Sequence, residues 1–418
     1  MKKWIAGLIA IVLSAIVMLS GCAGNQRGDE LIVWWVSGRE NEQIINDAVA
    51  DFKAEHPGQE ISIVSKPSMD VYNAYKFALN DDNTRPDIAI LDHVYVQSLA
   101  HDGLVANVNE LGMNEIKDLY PEGLYSAVTY NGSAYALPLS ANTIILMCNK
   151  DMLAEAGVVD DAGNAKLPET LDELYDACEK VKAKYGENRA FAQPLNSFAV
   201  MQFMSYVGRL GGKIVSDDYK TILLEDNAEV KTALEDWKKF TDLGYANPNE
   251  FEEGKFYNGQ IAFVEMGSWN LSKVRDVEAF DCGFTEMVTI DPAQPNYSGL
   301  GLYSLVIAEK SAKKQEAFEL AKYLSTDKDV QLAFNKAQNI FPVTKEALSD
   351  PYYTEDEILA KYASQLEKVT PRPGTPVWPD LEQSLVTMLR SAILNDNVDA
   401  AISAAQEAAQ SATNRLLG

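Results

Sequence analysis

The chain has 418 residues, a formal net charge of −25 and 47% hydrophobic residues. This length exceeds what one hydrophobic core usually fills, so the composition predicts a folded protein with two lobes. The strong negative charge would repel phosphate backbones, which excludes nucleic acid as a partner.

The N-terminus has the pattern of a lipoprotein signal. Two lysines precede an apolar or small run over residues 4–19, and Leu19-Ser20-Gly21-Cys22 then has the form of a lipobox. We therefore predict a signal peptide over residues 1–21, diacylglycerol on Cys22 and a flexible tether over residues 22–30. The alternative is an uncleaved anchor helix, for which the apolar run is short. Both interpretations place the body outside the cytoplasm, held at the cell membrane.

Three further cysteines, Cys148, Cys178 and Cys282, are odd in number and widely spaced. They provide neither a disulfide framework nor metal-ligand spacing, so we expect buried apolar residues. No cofactor or metal is expected.

The folded sequence begins with alternating strands and helices. Strands are predicted over residues 31–36, 60–64 and 88–91, with helices over 40–53 and 71–79 between them. This βαβαβ order predicts a parallel sheet. Ligands of open α/β sheets bind beyond the carboxyl ends of the strands, which points to residues 37–40 and Asp92.

A hairpin leads into the segment around which we expect the chain to be organised. Residues 126–137 alternate and turn at Asn131-Gly132, a strong hairpin signal. The apolar run over residues 144–147 predicts a buried strand. The small, polar residues 139–143 between the two suit a hinge or the wall of a cleft.

The second half contains further helices and two returns toward the first lobe. Thr170 opens a capping box, and Trp237 lies on an apolar helical stripe, which predicts a core residue. A strand over residues 260–264 leads to a loop with Trp269, and crossings are expected near 297–302 and 341–343. The proline-stiffened loop 370–379 holds Arg372 and Trp378, and the tail is predicted to be helical, with a break at residues 395–397.

These motifs together resemble the family 1 extracellular solute-binding proteins of ABC importers, relatives of maltose-binding protein. The resemblance covers nearly all of the chain after Cys22, and the order and spacing of the motifs make it specific. It rests on Trp34-Trp35, Pro86-Asp87-Ile88, residues 99–104, Tyr135-Ala136-Leu137-Pro138, Asn149-Lys150-Asp151, residues 167–174, residues 258–263, Gly267-Ser268-Trp269 and Phe341-Pro342-Val343.

The resemblance implies an α/β, two-lobe periplasmic-binding-protein fold (type II) with three hinge crossings and C-terminal helices. Lobe 1 would comprise residues 31–141 and 302–342, and lobe 2 residues 142–301 and 343–418. It further implies a monomer that is not an enzyme, closes on a carbohydrate and delivers it to the membrane subunits of an ABC permease.

A sugar needs aromatic rings against its apolar face and fixed polar groups for its hydroxyls. Trp35 is equally compatible with a core position in its strand, with Trp34 on the opposite face, and a helix cap is the alternative role for Asp92 and Glu40. The candidate ligand-binding residues are Trp35, Ser37, Arg39, Glu40, Asp92, Asn142, Asn196, Glu265, Trp269, Tyr303, Arg372 and Trp378.

Other ligands and classes stay open at this stage. Arg39 and Arg372 would suit glycerol phosphate, and a peptide is compatible with the fold. A surface glycoside hydrolase would need two carboxylates, which any acidic chain contains, but no H-E-x-x-H, G-x-S-x-G or P-loop motif occurs. The absence of an internal repeat speaks against an adhesin.

Overall fold

A computed structural model describes residues 29–36, 42–66, 72–81, 84–370, 372–395 and 397–418. The leader, the lipobox with Cys22, and three of the candidate binding residues (Ser37, Arg39 and Glu40) lie outside the described residues.

The first sheet has five strands in the order β2-β1-β3-β12-β6. Its first three strands are parallel and are separated by helices, as the βαβαβ pattern predicts, whereas β12 pairs antiparallel with both β3 and β6. The strands are β1 (Leu31–Val36), β2 (Ile61–Lys66), β3 (Ile88–Asp92), β6 (Leu137–Asn142) and β12 (Gly301–Ile307).

The second sheet has four strands in the order β10-β7-β9-β8. β7 is buried along its whole length, as its apolar run predicts, and pairs antiparallel with β9 and β10. β9 begins later than predicted and continues through Glu265. The strands are β7 (Ile144–Asn149), β8 (Phe191–Ala192), β9 (Phe263–Gly267) and β10 (Cys282–Thr285).

The chain passes between the two sheets near the predicted crossings. Thr143 alone separates β6 from β7, and Leu300 separates the short strand β11 (Ser298–Gly299), which pairs with β13 (Val369–Thr370), from β12. Phe341 exchanges two backbone hydrogen bonds of 2.8 Å with Ala141 before the chain leaves the first sheet again. The lobe boundaries stay a prediction, and Asn142 still belongs to a strand of the first sheet.

Local sequence signals account for the ends of several elements. The hairpin β4 (Thr129–Tyr130) and β5 (Ser133–Ala134) turns at Asn131 and Gly132, whose φ angles of 48° and 80° lie in the left-handed region that such a turn requires. The Thr170 hydroxyl accepts a hydrogen bond from the Glu173 amide, as predicted, and the Glu173 carboxylate accepts one from the Glu169 amide.

Eighteen α-helices occur in the described part of the chain, and they cover both sheets. They are α1 (Glu42–Glu55), α2 (Tyr72–Ala78), α3 (Val96–His101), α4 (Met113–Ile116), α5 (Glu122–Ser126), α6 (Lys150–Glu155), α7 (Leu171–Tyr185), α8 (Ser197–Arg209), α9 (Ala228–Asp242), α10 (Glu253–Tyr257), α11 (Leu271–Arg275), α12 (Lys314–Thr326), α13 (Lys328–Ala337), α14 (Lys345–Leu348), α15 (Pro351–Thr354), α16 (Glu357–Leu366), α17 (Trp378–Leu394) and α18 (Val398–Leu417). α17 and α18 confirm the helical tail and its break.

The cysteines are unpaired within the described residues. Cys148 and Cys178 are buried and Cys282 is half-buried, and burial raises the pKa of the Cys282 thiol to about 12. Over the described ranges, no helix is long and apolar enough to cross a membrane, and no group of His, Cys, Asp and Glu could hold a metal ion.

Candidate functional site

A cavity of about 600 Å³ lies where the carboxyl end of β3 meets the ends of β6, β9 and β12. Both sheets and four α-helices, α8, α11, α13 and α17, contribute to its wall. Its lining comprises Asp92, Tyr95, Asn142, Ser197, Phe198, Met201, Trp269, Ser272, Lys273, Gly301, Leu302, Tyr303, Ala337, Gln338, Asn339, Ile340, Arg372 and Glu382.

The register of the first sheet places three polar side chains in this cavity. Tyr303 of β12 lies opposite Asp92 of β3, and Gly301 lies opposite Asn142 of β6. A Cβ atom on Gly301 would stand 2.2 Å from Asn142 Oδ1, a distance that atoms cannot adopt. The Asn142 amide can therefore occupy this position only because Gly301 has no side chain.

An ion pair joins the end of β3 to the segment that precedes α17. Arg372 Nη2 donates to both carboxylate oxygens of Asp92, at 2.8 and 2.6 Å, although the residues are 280 positions apart. The Arg372 side chain is 10% exposed and that of Asp92 is 19% exposed. The fully buried His93 has its Nδ1 2.8 Å from Asp92 Oδ1.

Burial and the neighbouring groups shift the pKa values of all three ionisable residues in this cluster. Burial opposes ionisation of Asp92, but Arg372 and His93 outweigh it and hold the pKa of that carboxyl well below its usual range. Burial likewise opposes the charge on Arg372, yet Asp92 keeps the pKa of the guanidinium raised. Burial lowers the pKa of His93, which leaves the ring neutral at neutral pH. The cluster is thus an Asp–Arg pair with no net charge.

Aromatic rings form another part of the wall. Trp269 is 37% exposed and meets Phe198 edge to face, with ring centroids 5.8 Å apart and planes at 84°. A Cβ atom on Gly267 would lie 1.8 Å from Trp269 Cζ3, so the indole occupies the space that any side chain at Gly267 would need. On the side of the first sheet, Tyr95 stacks on Tyr72 at 4.7 Å.

Five of the candidate residues are brought together in the cavity, where ligand contact stays a prediction. They are Asp92, Asn142, Trp269, Tyr303 and Arg372.

Four other candidates lie elsewhere. Trp35 is 1% exposed and packs on Phe334 of α13, because helices cover both faces of the first sheet; Trp34 is buried as well. Trp378 is not in a loop but is the fully buried first residue of α17.

Glu265 and Asn196 are also placed away from the cavity wall. Glu265 is buried within β9, in a separate small internal space with Arg209 and Gln202. Asn196 caps α8 through its side-chain oxygen, which accepts from the amides of Phe198 and Ala199. The next two residues, Ser197 and Phe198, line the cavity in its place.

Several residues that line the cavity were not among the candidates predicted from the sequence. Ser197 and Phe198 follow the helix cap at Asn196, so recognition of that cap could have found them. Asn339, with a φ of 52°, turns the chain after α13 toward the cavity. Tyr95, Lys273 and Glu382 lie on helices whose sequence does not distinguish them from surface or core residues.

Comparisons with known proteins agree with this geometry. The profile of a family described as bacterial extracellular solute-binding protein matches residues 47–361. The galactooligosaccharide-binding protein of Bacillus subtilis (strain 168) is 24% identical over 384 residues, which span 88% of this chain and 86% of that protein. The maltotriose-binding protein of Pyrococcus abyssi is 24% identical over 378 residues, 87% of this chain and 78% of that protein.

A solved structure shows the same fold. The cyclic alpha-maltosyl-1,6-maltose binding protein from Arthrobacter globiformis superimposes with a TM-score of 0.79 at 23% identity, covering 92% of this chain and 99% of that chain. The predicted α/β periplasmic-binding-protein fold is therefore confirmed.

Proposed function

Because the chain belongs to the bacterial extracellular solute-binding protein family, whose members bind solutes and are not enzymes, we propose that it captures an oligosaccharide between its lobes and delivers it to an ABC permease. The names of the two relatives described above identify them as oligosaccharide-binding proteins. The cavity offers what a sugar requires: the half-exposed Trp269 ring for an apolar face and the side chains of Asp92, Asn142 and Tyr303 for hydroxyl groups.

The observation that carries this proposal is the paired state of Arg372. An arginine that binds phosphate needs guanidinium donors that are available to the anion. Here Arg372 donates to both oxygens of Asp92, so its charge is already compensated. A neutral, hydroxyl-rich ligand can accept or donate hydrogen bonds at this pair without adding charge. Arg39, the other arginine that would suit a phosphate, lies outside the described residues.

A thermal-shift panel tests the ligand class. We expect maltotriose, a galactooligosaccharide or diacetylchitobiose to raise the melting temperature, and glycerol phosphate and a short peptide to leave it unchanged. A ligand at a hundredfold excess over its Kd stabilises the folded state by about 2.7 kcal/mol. Stabilisation by glycerol phosphate or the peptide, with no response to any sugar, would contradict the proposal.

Closure of the lobes should accompany binding. The chain passes between the sheets at Thr143, at Leu300 and after Phe341, and lobes joined by such thin connections move as rigid bodies. We expect the radius of gyration, measured by small-angle X-ray scattering, to fall when the best sugar of the panel saturates the protein. An unchanged radius at saturation would argue against closure.

The proposal includes attachment to the membrane through a lipid on Cys22, which the residue pattern of the leader supports. We expect Cys22→Ala to release the protein from the membrane fraction or to stop its processing, because the substituted chain has no thiol to acylate. Ser20→Ala is a matched control, since it keeps a small residue beside the cleavage site. Recovery of Cys22→Ala in membranes as a processed, acylated chain would refute the anchor.

A further inference from the structure

The aromatic wall of the cavity is built from two separate elements. Phe198 is in the first turn of α8, whereas Trp269 follows β9 by two residues. Their rings meet at 5.8 Å and 84°, so a shift of α8 against β9 would change the surface offered to a ligand. Something must therefore hold this helix in a fixed place on this strand.

Polar groups behind the wall connect the same two elements. Gln202, one helical turn after Phe198, places its Nε2 3.5 Å from the Glu265 carbonyl oxygen. Arg209, the last residue of α8, has its Nη2 3.8 Å from Glu265 Oε1 and donates through Nη1 to the Val288 carbonyl at 3.0 Å. Arg209 and Gln202 are each only 1% exposed.

Buried charges of this kind cost free energy in the folded protein. The attraction between the two charges recovers only part of the free energy that is lost when they are removed from water. Apolar residues of similar size would therefore stabilise the fold as well or better. What hydrogen bonds and ion pairs provide in addition is direction, because they fix distances and angles that apolar contacts leave adjustable. A buried pair placed between the two elements that carry the wall suits that purpose.

We propose that Arg209 and Glu265 are positioning residues that set α8 against β9 and thereby hold Phe198 and Trp269 in the arrangement that binds ligand. Glu265 then acts through Trp269, four residues further along the chain, and does not touch the ligand. The inference rests on the proposed function only where binding is concerned, because the position of the Trp269 ring can be measured without a ligand.

Fluorine NMR of protein labelled with 5-fluorotryptophan tests the position of the ring directly. The Trp269 resonance is assigned by its loss in Trp269→Phe. We expect Glu265→Gln to shift or broaden this resonance and to leave that of Trp34, in the first sheet, unchanged. If Glu265→Gln does not fold, Arg209→Met combined with Glu265→Met removes both charges at once and should give the same displacement. An unmoved Trp269 resonance in a folded variant overturns the inference.

Tyr120→Phe is the matched control. It removes a buried hydrogen bond of 2.7 Å between Tyr120 and Ser325 that does not border the cavity. This variant should melt at a lower temperature, with the Trp269 resonance in place. A displacement of Trp269 as large as that in Glu265→Gln would show that any loss of core stability moves the ring, and would overturn the inference.

A titration with maltotriose adds the functional arm. Glu265→Gln should raise the Kd for maltotriose about tenfold, within the range that coupled residues show, and Tyr120→Phe should leave it unchanged. Wild-type affinity in a Glu265→Gln variant with a displaced Trp269 would overturn the link to binding. If no sugar of the panel binds the wild-type protein, the proposed ligand class fails, while the fluorine spectra still decide whether the pair positions the wall.

Discussion

Trp269→Ala is expected to weaken oligosaccharide binding by well over tenfold and to weaken the fold far less than truncation of a core tryptophan does. The indole borders the cavity and is 37% exposed, so part of the ring is available to a ligand. The loss of one buried aromatic contact costs about 2 kcal/mol or more in binding. Calorimetric titration with the best sugar of the panel measures the affinity, and denaturant melts measure the stability.

Trp378→Ala serves as the contrasting variant because its side chain is completely buried. It packs in the core formed by α8, α9, α17 and α18, and truncation of such a tryptophan lowers the free energy of unfolding by about 3–5 kcal/mol. Trp237→Ala, in the same core, should behave like Trp378→Ala. If Trp269→Ala melted like these two variants while its folded fraction bound sugar normally, Trp269 would be a structural residue and the site would be misplaced.

The position of Trp378 shows where local sequence reasoning fails. The prolines around it predict a stiff, exposed loop, yet Pro379 stands in the first turn of α17, where its missing amide costs nothing. Proline thus marks a helix start here. Whether a tryptophan at such a start faces solvent or a core depends on which helix packs beside it, and that information is not local.

Strands were predicted well where burial leaves a clear pattern. The apolar runs of β3 and β7 predicted buried strands, and the order of strands and helices predicted the parallel part of the first sheet. Trp34 packs on Tyr75 and Trp35 on Phe334, which lie on different helices, but with helices on both faces neither side of β1 reaches the cavity. Glu265 was misplaced because β9 continues through it rather than ending before it.

The cavity itself could be anticipated only in part. Asp92 was predictable from the rule that ligands bind at strand ends, and Asn142 and Tyr303 from their places next to crossings. The contact between Asp92 and Arg372 joins residues 280 positions apart, and no local pattern signals it. Phe198 and Tyr95 reach the cavity through the packing of their helices, which only the assembled fold determines.

Arg372→Met is expected to lower the free energy of unfolding by about 3–5 kcal/mol at neutral pH, because it leaves the largely buried Asp92 carboxylate without its cation. Methionine keeps much of the apolar stem, so the change is mainly one of charge. Urea melts of the two proteins measure the difference. Lys231→Met is the matched control: it breaks a 2.7 Å pair with Asp399 that is well exposed, and such pairs contribute at most about 1 kcal/mol.

The effect of Arg372→Met should also depend on pH in a defined direction. In the wild-type protein the pKa of Asp92 is lowered, so its stabilising contribution is present above the ordinary carboxyl pKa of 3.8 and is lost as the pH falls toward the lower folded value. Without Arg372, only His93 opposes the effect of burial, so the pKa of Asp92 rises, the variant protonates Asp92 at higher pH than the wild-type protein does, and its penalty is relieved there. The difference in unfolding free energy should therefore be largest near about pH 7 and shrink toward about pH 4. A difference that is independent of pH, or no larger than that of Lys231→Met, would show that the Asp92–Arg372 pair is not a buried ion pair in solution.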